Sequence, residues 1–383
     1  MQYVDEFRNP DVARKLASEI TELSSMLMQD RNRPLQIMEF CGGHTHTIFR
    51  FGLQQLLPQH IQLVHGPGCP VCVLPRGCID VAIQLANQAN VIFTTFGDAM
   101  RVPGSQQSLL QAKAAGADIR MVYSPLDALA LARANPDREV IFFALGFETT
   151  MPSTALTVLE ASREGIDNFS LFCHHITTVP TMTAILQDPD MRLDGFIAPG
   201  HVSMVVGDKP FEFVGAEFKK PLVITGFEPL DILQSIWMLL KQLSEGRSEV
   251  ENQYTRVVSA KGNPAGLAAM SDVFEPRERS AWRGIGDIEQ SGVQLTDAYK
   301  HFDAEYKFSP DHAMVEDPTA CHCGDVLKGA MQPWQCPLFG NECQPKHPLG
   351  ALMVSSEGAC AAYYRYADIN ALKDKQPAQR ITL

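Results

Sequence analysis

A chain of 383 residues is longer than one simple core requires, so we expect two or three domains. The formal charge of -12 and the lack of a basic run argue against a nucleic-acid-binding surface, because affinity for phosphate rests on clustered lysine and arginine. No uncharged apolar stretch approaches the roughly 18 residues that span a bilayer, and residues 1–30 carry charges throughout without the apolar core of a signal peptide. These features predict a cytoplasmic protein with no membrane partner.

The chain opens with a predicted amphipathic helix, because Asn9 suits the N-cap, Pro10 suits the first helical position, and apolar residues recur at helical spacing through Leu27. Beyond it, β-branched or aromatic runs alternate with helical stretches, which is typical of βαβ units and parallel sheets. The predicted strands are Leu35–Phe40, Ile61–His65, Val91–Phe96, Ile119–Tyr123, Val140–Leu145, Phe169–Cys173, Gly195–Ala198 and Leu222–Thr225.

This alternation predicts an α/β protein with two Rossmann-like domains of parallel strands, at residues 1–135 and 136–250, around a cleft. Neither Gly-x-Gly-x-x-Gly nor a P-loop motif is present, so the sequence does not support a nucleotide site of either kind. After residue 250 the alternation fades, and residues 316–366 are dense in cysteine, glycine and proline. We therefore expect a cysteine-rich iron–sulfur domain at 251–383.

Side chains with metal-binding chemistry follow the first predicted strand directly. Cys41, His44 and His46 lie on a predicted glycine-rich turn that contains Gly42 and Gly43. In an open parallel sheet, ligands bind beyond the carboxyl ends of the strands, so we expect such turns to line one cleft. A thiolate beside an imidazole suits iron, zinc or copper, and His44 is the better placed imidazole. A solvated or hydrogen-bonded histidine is the alternative.

The second cysteine motif is Gly-Pro-Gly-Cys-Pro-Val-Cys at 66–72. Cys69 and Cys72 could form a reversible disulfide or half of a zinc or iron–sulfur site. Pro70 fixes the backbone of the turn, and a helix predicted from Arg76 would place the positive end of its dipole near the thiols and lower their pKa. The spacing favours a redox-active pair, with a structural zinc knuckle or inert buried thiols as alternatives.

Five of the ten cysteines lie beyond residue 320, namely Cys321, Cys323, Cys336, Cys343 and Cys360. Well-separated thiolates on a backbone rich in glycine and proline suit a [4Fe-4S] cluster, with Cys323 or Cys321 as the first ligand. A zinc ion with four thiolate ligands is the alternative. Zinc sites more often show paired Cys-x2-4-Cys halves, which this spacing lacks, so the iron–sulfur cluster is favoured.

Two further groups of residues carry weaker signals. Cys173, His174 and His175 could form a nucleophilic pair, but adjacent side chains on a strand point to opposite faces. Glu148 and the two threonines after it could transfer protons in the cleft, with capping of a helix by a threonine as an equal alternative. Cys78 is expected to be structural.

With these motifs in view, the sequence resembles the HypD family of [NiFe] hydrogenase maturation factors. The matching stretches cover the chain nearly end to end, and together they are highly specific. They are Cys-Gly-Gly-His-Thr-His at 41–46, Gly-Pro-Gly-Cys-Pro-Val-Cys at 66–72, Gly-Phe-Glu-Thr-Thr at 146–150, Pro-Gly-His-Val-Ser at 199–203, Cys-His-Cys-Gly at 321–324 and Met-Val-Ser-Ser-Glu-Gly at 353–358.

The resemblance implies a three-part α/β protein with a [4Fe-4S] cluster in its last part. It also implies a role in building the Fe(CN)2CO unit of the hydrogenase active site, in complex with HypC and with cyanide delivered through HypE. Cys41 maps to the family's ligand for the iron fragment, and Cys69 and Cys72 map to its redox-active pair. His44 and Glu357 belong to the family motifs and are candidate site residues without an assigned role.

Three classes of function compete at this point. The first is an assembly scaffold with redox activity, and the second is an iron–sulfur-dependent disulfide reductase resembling ferredoxin:thioredoxin reductase. The third is a zinc hydrolase that would use Cys41, His44 and the Cys69/Cys72 pair. The scaffold is favoured, because a thiolate can hold iron, a dithiol can supply two electrons and a cluster can reload the dithiol.

Overall fold

The computed structural model describes residues 5–189, 191–311, 315 and 320–367. Residues 1–4 and 368–383, at the outer ends of the first and last predicted domains, lie outside this range. The α-helices are α1 (Pro10–Leu27), α2 (Gly42–Arg50), α3 (Leu53–Leu56), α4 (Arg76–Ala86), α5 (Leu109–Ala114), α6 (Pro125–Ala134), α7 (Met151–Glu164), α8 (Thr178–Leu186), α9 (Gly200–Val206), α10 (Glu212–Ala216), α11 (Pro229–Ser244), α12 (Pro264–Val273), α13 (Ala304–Phe308), α14 (Cys323–Leu327) and α15 (Ala359–Tyr366). Among the described residues, no helix is both long and apolar enough to cross a membrane.

The first eight strands lie where the hydrophobic pattern predicted them, with each end in the predicted place or displaced by one or two residues. The strands are β1 (Leu35–Glu39), β2 (Ile61–His65), β3 (Val91–Thr95), β4 (Ile119–Met121), β5 (Glu139–Gly146), β6 (Phe169–His175), β7 (Gly195–Pro199), β8 (Leu222–Thr225), β9 (Val250–Asn252), β10 (Phe274–Pro276), β11 (Arg279–Trp282), β12 (Gly286–Glu289) and β13 (Val293–Leu295). The strands from β9 onward were not predicted, because they are short and carry no clear alternation.

Parallel strands build two sheets. Sheet A has five strands in the order β2-β1-β7-β8-β9, and sheet B has four in the order β4-β3-β5-β6. Every strand pair within the two sheets is parallel. The predicted α/β class with parallel βαβ units is therefore confirmed. Two antiparallel pairs, β10 with β13 and β11 with β12, lie outside these sheets.

Sheet A is assembled from two separate parts of the chain. β1 and β2 come from residues 35–65, the chain then forms all of sheet B, and it returns to sheet A with β7, β8 and β9. The predicted domain limits at residues 135 and 250 stay a prediction, but the strands of sheet A lie on both sides of residue 135. Hydrophobic alternation locates each strand without specifying its partner, so the return was not visible in the sequence.

Two predicted helices are confirmed, each beginning at the predicted residue. α1 begins at Pro10, and the Asn9 side chain accepts hydrogen bonds from the backbone N–H groups of Asp11 and Val12. Its apolar face packs against α11 on one side of sheet A. α4 begins at Arg76, directly after the second cysteine motif.

The register of sheet A brings polar side chains together at its carboxyl edge. β1 lies between β2 and β7, and Glu39 at the end of β1 is the direct neighbour of His65 at the end of β2. Because the strands are parallel, the segments that follow them leave from the same edge. Both cysteine motifs begin at this edge.

We predict that His175, at the buried end of β6, makes the protein less stable in acid. Burial lowers the pKa of its imidazole from 6.5 to about 4. Below pH 6.5 the unfolded chain therefore binds a proton that the folded protein does not bind until about pH 4. The free energy of unfolding should fall by about 3 kcal/mol between these values because of this residue, as measured by urea denaturation.

His175→Gln should reduce this pH dependence whatever its effect at neutral pH. The amide can keep one of the contacts that the imidazole makes with the Gly146 carbonyl and the Thr154 hydroxyl. His301→Gln changes an exposed histidine and serves as the control. An unaltered slope between pH 6.5 and pH 4 in His175→Gln would contradict the assignment.

Candidate functional site

Cys41 is the N-cap residue of α2, with an extended backbone at φ -155°. Gly42 and Gly43 are the first residues of that helix, which corrects the prediction that they form a turn. A β-carbon on Gly42 would lie 2.5 Å from the Glu357 side chain, and one on Gly43 would lie 2.9 Å from the Phe227 ring. Glycine is needed here for close packing rather than for bending.

Gly68 brings the second cysteine motif against Cys41. A β-carbon on Gly68 would lie 2.3 Å from the backbone nitrogen of Cys41, and the Gly42 N–H donates to the Gly68 carbonyl oxygen at 3.3 Å. Cys69 and Cys72 follow at once, are buried and are joined by a disulfide. The prediction that the two motifs meet is confirmed, and the reversibility of the disulfide stays a prediction.

A short bridge connects this disulfide loop to the C-terminal cysteines. The carbonyl oxygen of Val73 accepts a hydrogen bond from the backbone N–H of Arg283 at 2.7 Å. The next residue, Gly284, packs so closely on α14 that a β-carbon there would lie 2.7 Å from the Cα of Gly324. Because Gly324 directly follows Cys323, one backbone segment contacts both cysteine-containing regions.

The Glu39 carboxyl group organises the backbone around Cys41. It is completely buried, and one of its oxygens accepts the backbone N–H of Cys41 at 2.9 Å. The other accepts the Thr45 hydroxyl and lies 2.8 Å from Nδ1 of His65. A carboxylate can only accept hydrogen bonds, so the His65 nitrogen carries the donated proton. Glu39 thereby joins β1, β2 and α2.

An aromatic cluster extends from His65 toward the C-terminal helix. The His65 ring lies 5.9 Å from the Tyr363 ring on α15, centroid to centroid, and Phe49 on α2 lies 4.5 Å from the same ring. The Tyr363 hydroxyl donates to the Gln332 side chain at 2.8 Å. Tyr363 is less than one helical turn from Cys360. The C-terminal segment therefore packs directly on the elements that hold Cys41.

His44 is fully buried on α2 and stacks on the Phe227 ring at a centroid distance of 4.6 Å. His201 stacks on the same ring at 3.7 Å. Burial lowers the pKa of His44 to about 4, against an opposing effect of Glu39. The imidazole is therefore neutral near pH 7. This placement confirms that His44 lies beside Cys41 in the fold and leaves its role as a ligand a prediction.

Carboxyl groups surround the half-buried Cys41 thiol. Burial, then the charges of Glu357 and Glu39, raise its pKa to about 12, although the N–H groups of Gly43 and His44 act in the opposite direction. The pKa of Glu357 is itself raised, first by burial and then by Asp98 and Glu39. Ser355 links these groups, since its hydroxyl donates to Asp98 at 3.2 Å and accepts the Glu357 N–H at 3.2 Å.

The candidate residues with weaker sequence signals lie in contacts that stabilise the fold. Glu148 is buried and accepts the backbone N–H and the hydroxyl of Thr178, each at 2.8 Å, so it caps α8. Cys173 is buried, and its thiol donates to the Val293 carbonyl at 3.5 Å. The centroid of the His46 ring lies 6.1 Å from that of Tyr366, which is on the C-terminal helix. The hydrogen bonds account for Glu148 and Cys173 without a reaction.

The C-terminal thiols line one cavity. Its cysteines are Cys321, Cys323, Cys336, Cys343 and Cys360. The sulfur atoms of Cys321 and Cys323 lie 3.2 Å apart. A β-carbon on Gly350 would lie 2.6 Å from the Cys323 sulfur and 2.7 Å from the Cys321 sulfur, so glycine leaves this space open. Burial and the neighbouring cysteines hold the pKa of the Cys360 thiol well above its ordinary range.

Comparison with known proteins decides the family. The family model described as "HypD: Hydrogenase formation hypA family" matches residues 11–367. The hydrogenase maturation factor HypD of Rhodobacter capsulatus is 56% identical over 375 residues, which cover 97% of this chain and 100% of that protein. The hydrogenase maturation factor HypD of Escherichia coli (strain K12) is 56% identical over 366 residues, which cover 96% and 98%. The chain belongs to the HypD family.

The structure adds residues to this HypD site that the sequence reasoning did not single out. Glu39 and His65 end predicted strands, and only their pairing across β1 and β2 brings them together. A carboxylate and an imidazole at adjacent strand ends were the available signal, but using it required the strand order.

We predict that Glu357→Gln makes the Cys41 thiol more reactive. Removing a negative charge should lower the pKa of Cys41 and raise its thiolate fraction at a fixed pH below 12. The rate of alkylation by iodoacetamide at pH 8 should increase, by up to about tenfold for each unit by which that pKa falls, because the thiolate fraction grows faster than the nucleophilicity of the thiolate declines. Mass spectrometry of the Cys41 peptide measures this rate separately from the other cysteines.

Glu342→Gln is the matched control, because Glu342 is exposed and lies in the same C-terminal segment. The rate of Cys41 alkylation in Glu342→Gln should equal the rate in the protein without a substitution. Equal rates in Glu357→Gln and Glu342→Gln would show that Glu357 does not control the thiol.

Proposed function

We propose that the protein is a redox-active scaffold on which the Fe(CN)2CO unit of the [NiFe] hydrogenase active site is assembled. The observation that carries this proposal is the contact between Gly68 and the Cys41 backbone, which brings a single thiol and a disulfide loop side by side. A HypC-type small chaperone and a HypE-type cyanide donor are the proposed partners. The cytoplasm stays the predicted compartment.

Cys41 would hold the iron fragment through one thiolate. Within the described ranges, no three or more His, Cys, Asp or Glu side chains converge on a point where one metal ion could bind. A single soft ligand leaves positions on the iron for cyanide, carbon monoxide and a ligand from a partner, whereas a complete set of protein ligands would retain the metal. Glu39 and Glu357 would favour the positive charge of the iron.

Cys69 and Cys72 would supply or accept two electrons beside the fragment. Reduction of their disulfide yields two thiols, and oxidation returns the pair to the bonded form. Gly68 holds this loop against Cys41, so no large movement is needed to bring the pair to the iron fragment. The buried position of both sulfurs would protect the pair from other thiols.

We propose that the cavity lined by five cysteines holds a [4Fe-4S] cluster, because it gathers more thiols than the four ligands that such a cluster needs. Four of Cys321, Cys323, Cys336, Cys343 and Cys360 would hold it. A cluster bound there would exchange single electrons. The backbone segment of Arg283 and Gly284 contacts both the disulfide loop and α14, which supports an electronic connection between these regions.

A disulfide reductase that acts on other proteins is the second candidate. The bridge through Arg283 and Gly284 is compatible with it, because such an enzyme also needs a disulfide near a cluster. Glu39 and the packing around Cys41 have no purpose in that reaction. A zinc hydrolase is less compatible still, since the bonded Cys69 and Cys72 offer no thiolate pair.

We predict that Cys41→Ala abolishes the infrared bands of bound cyanide and carbon monoxide in the anaerobically purified complex with the small chaperone. It should also abolish hydrogenase maturation, while circular dichroism and the iron and sulfide content of the C-terminal region stay unchanged. Cys78→Ala is the control and should keep the bands. Bands that survive in Cys41→Ala would place the fragment elsewhere, and turnover of a protein disulfide without any bands would favour the reductase.

We further predict that the anaerobically purified protein contains about four iron and four sulfide per chain in its C-terminal cavity. Cys343→Ala should lower both contents and the thermal stability, because binding of a cluster and local folding are coupled. Elemental analysis and a melting curve measure these effects. Stoichiometric zinc without sulfide would refute the cluster.

A further inference from the structure

A second cavity, of about 490 Å³, lies at the carboxyl edge of sheet B. The ends of β5 and β6 form one wall through Leu145 and His174, and the segment at β11 covers it through Ala281. The disulfide loop contributes Pro70, which lies between Cys69 and Cys72. In open parallel sheets this edge is where ligands bind, and the volume is within the range of small-molecule sites.

Charges of both signs meet on one wall of this cavity. Nη2 of Arg277 donates to the Glu305 carboxylate at 2.6 Å and to the Cys173 carbonyl at 3.3 Å. Nε of the same guanidinium is buried and has no hydrogen-bond partner among the described residues. Asp303 lines the cavity beside Glu305. One donor of this partly exposed arginine therefore lacks an acceptor next to two carboxyl groups.

Another wall of the cavity is apolar. Val73, Leu74 and Pro75 from the loop before α4 face the cavity together with Leu145. The Cys78 thiol lies 3.4 Å from Nδ1 of His174 at this side, and burial raises its pKa to about 12. A protonated thiol is a poor nucleophile, so this wall suits contact with an apolar group rather than a covalent bond.

We propose that this cavity binds an α-amino acid with a large apolar side chain. A simple anion would meet Arg277 but also two carboxyl groups, and a simple cation would meet the opposite conflict. An α-amino acid carries a carboxylate and an ammonium on one carbon, so it can satisfy Arg277 and the adjacent carboxyl groups together. Its side chain would lie along the apolar wall. The inference is independent of the proposed role in iron assembly.

The test is isothermal titration of the full-length protein with L-phenylalanine at pH 7.5. We expect one site per chain. 3-Phenylpropionate lacks the ammonium and 2-phenylethylamine lacks the carboxylate, so each should bind about tenfold or more weakly than L-phenylalanine. Failure to detect L-phenylalanine up to its solubility limit, or equal binding of the three compounds, would overturn the proposal.

Protein variants locate the site. Arg277→Gln should weaken L-phenylalanine binding by about tenfold or more, whereas Arg163→Gln should keep it within about twofold, because Arg163 is exposed on α7 and does not line the cavity. If Arg277→Gln does not fold, Ala281→Trp provides the test, since Ala281 is exposed at the cavity and a tryptophan there would occupy it. Ala115→Trp, at an exposed turn elsewhere, is its control. Unchanged binding in Ala281→Trp would refute the site.

Discussion

The position of Cys41 depends on the buried carboxyl group of Glu39. That group accepts hydrogen bonds from the Cys41 backbone and the Thr45 hydroxyl, and it contacts His65 on the neighbouring strand. A buried carboxyl group without such partners costs several kcal/mol, so none of these partners can move away without a large penalty. The N-terminus of α2 is therefore fixed to sheet A. A thiol on a rigid element can present one defined geometry to a metal and to a partner protein.

The same electrostatics decide the state of the thiol. Burial, and after it the charges of Glu357 and Glu39, disfavour a thiolate, so the pKa of Cys41 is raised to about 12. Both carboxyl groups would favour a cation bound to the sulfur, because the charge of an iron ion offsets theirs. Metal binding must then release the proton of the thiol. On the proposed function, Cys41 would stay protonated and unreactive until iron binds, which would limit its oxidation before then.

Local patterns in the sequence predicted every strand of the two sheets except β9, together with the start of α1 and the start of α4. They could not predict the order of strands, because alternation of apolar residues is the same whichever neighbour a strand has. The pairing of Glu39 with His65 was hidden for that reason. Gly42 and Gly43 were interpreted as a turn, since a glycine required for close packing looks identical in sequence to one required for bending. What identifies the glycines as packing residues is their contact with Glu357 and Phe227, which lie far away in the sequence.

The cysteine-rich segment completes the Cys41 site as well as containing its own cavity. Glu357 packs on Gly42, and Tyr363 packs on Phe49 and beside His65. Cys360 lies between these two residues in the chain, on the helix that carries Tyr363. Loss of a cysteine in this segment can therefore disturb Cys41 through packing alone. A cysteine variant shows an effect on electron supply alone only if it meets two conditions. The alkylation rate of Cys41 must be unchanged, and reduction of the Cys69–Cys72 disulfide must be lost.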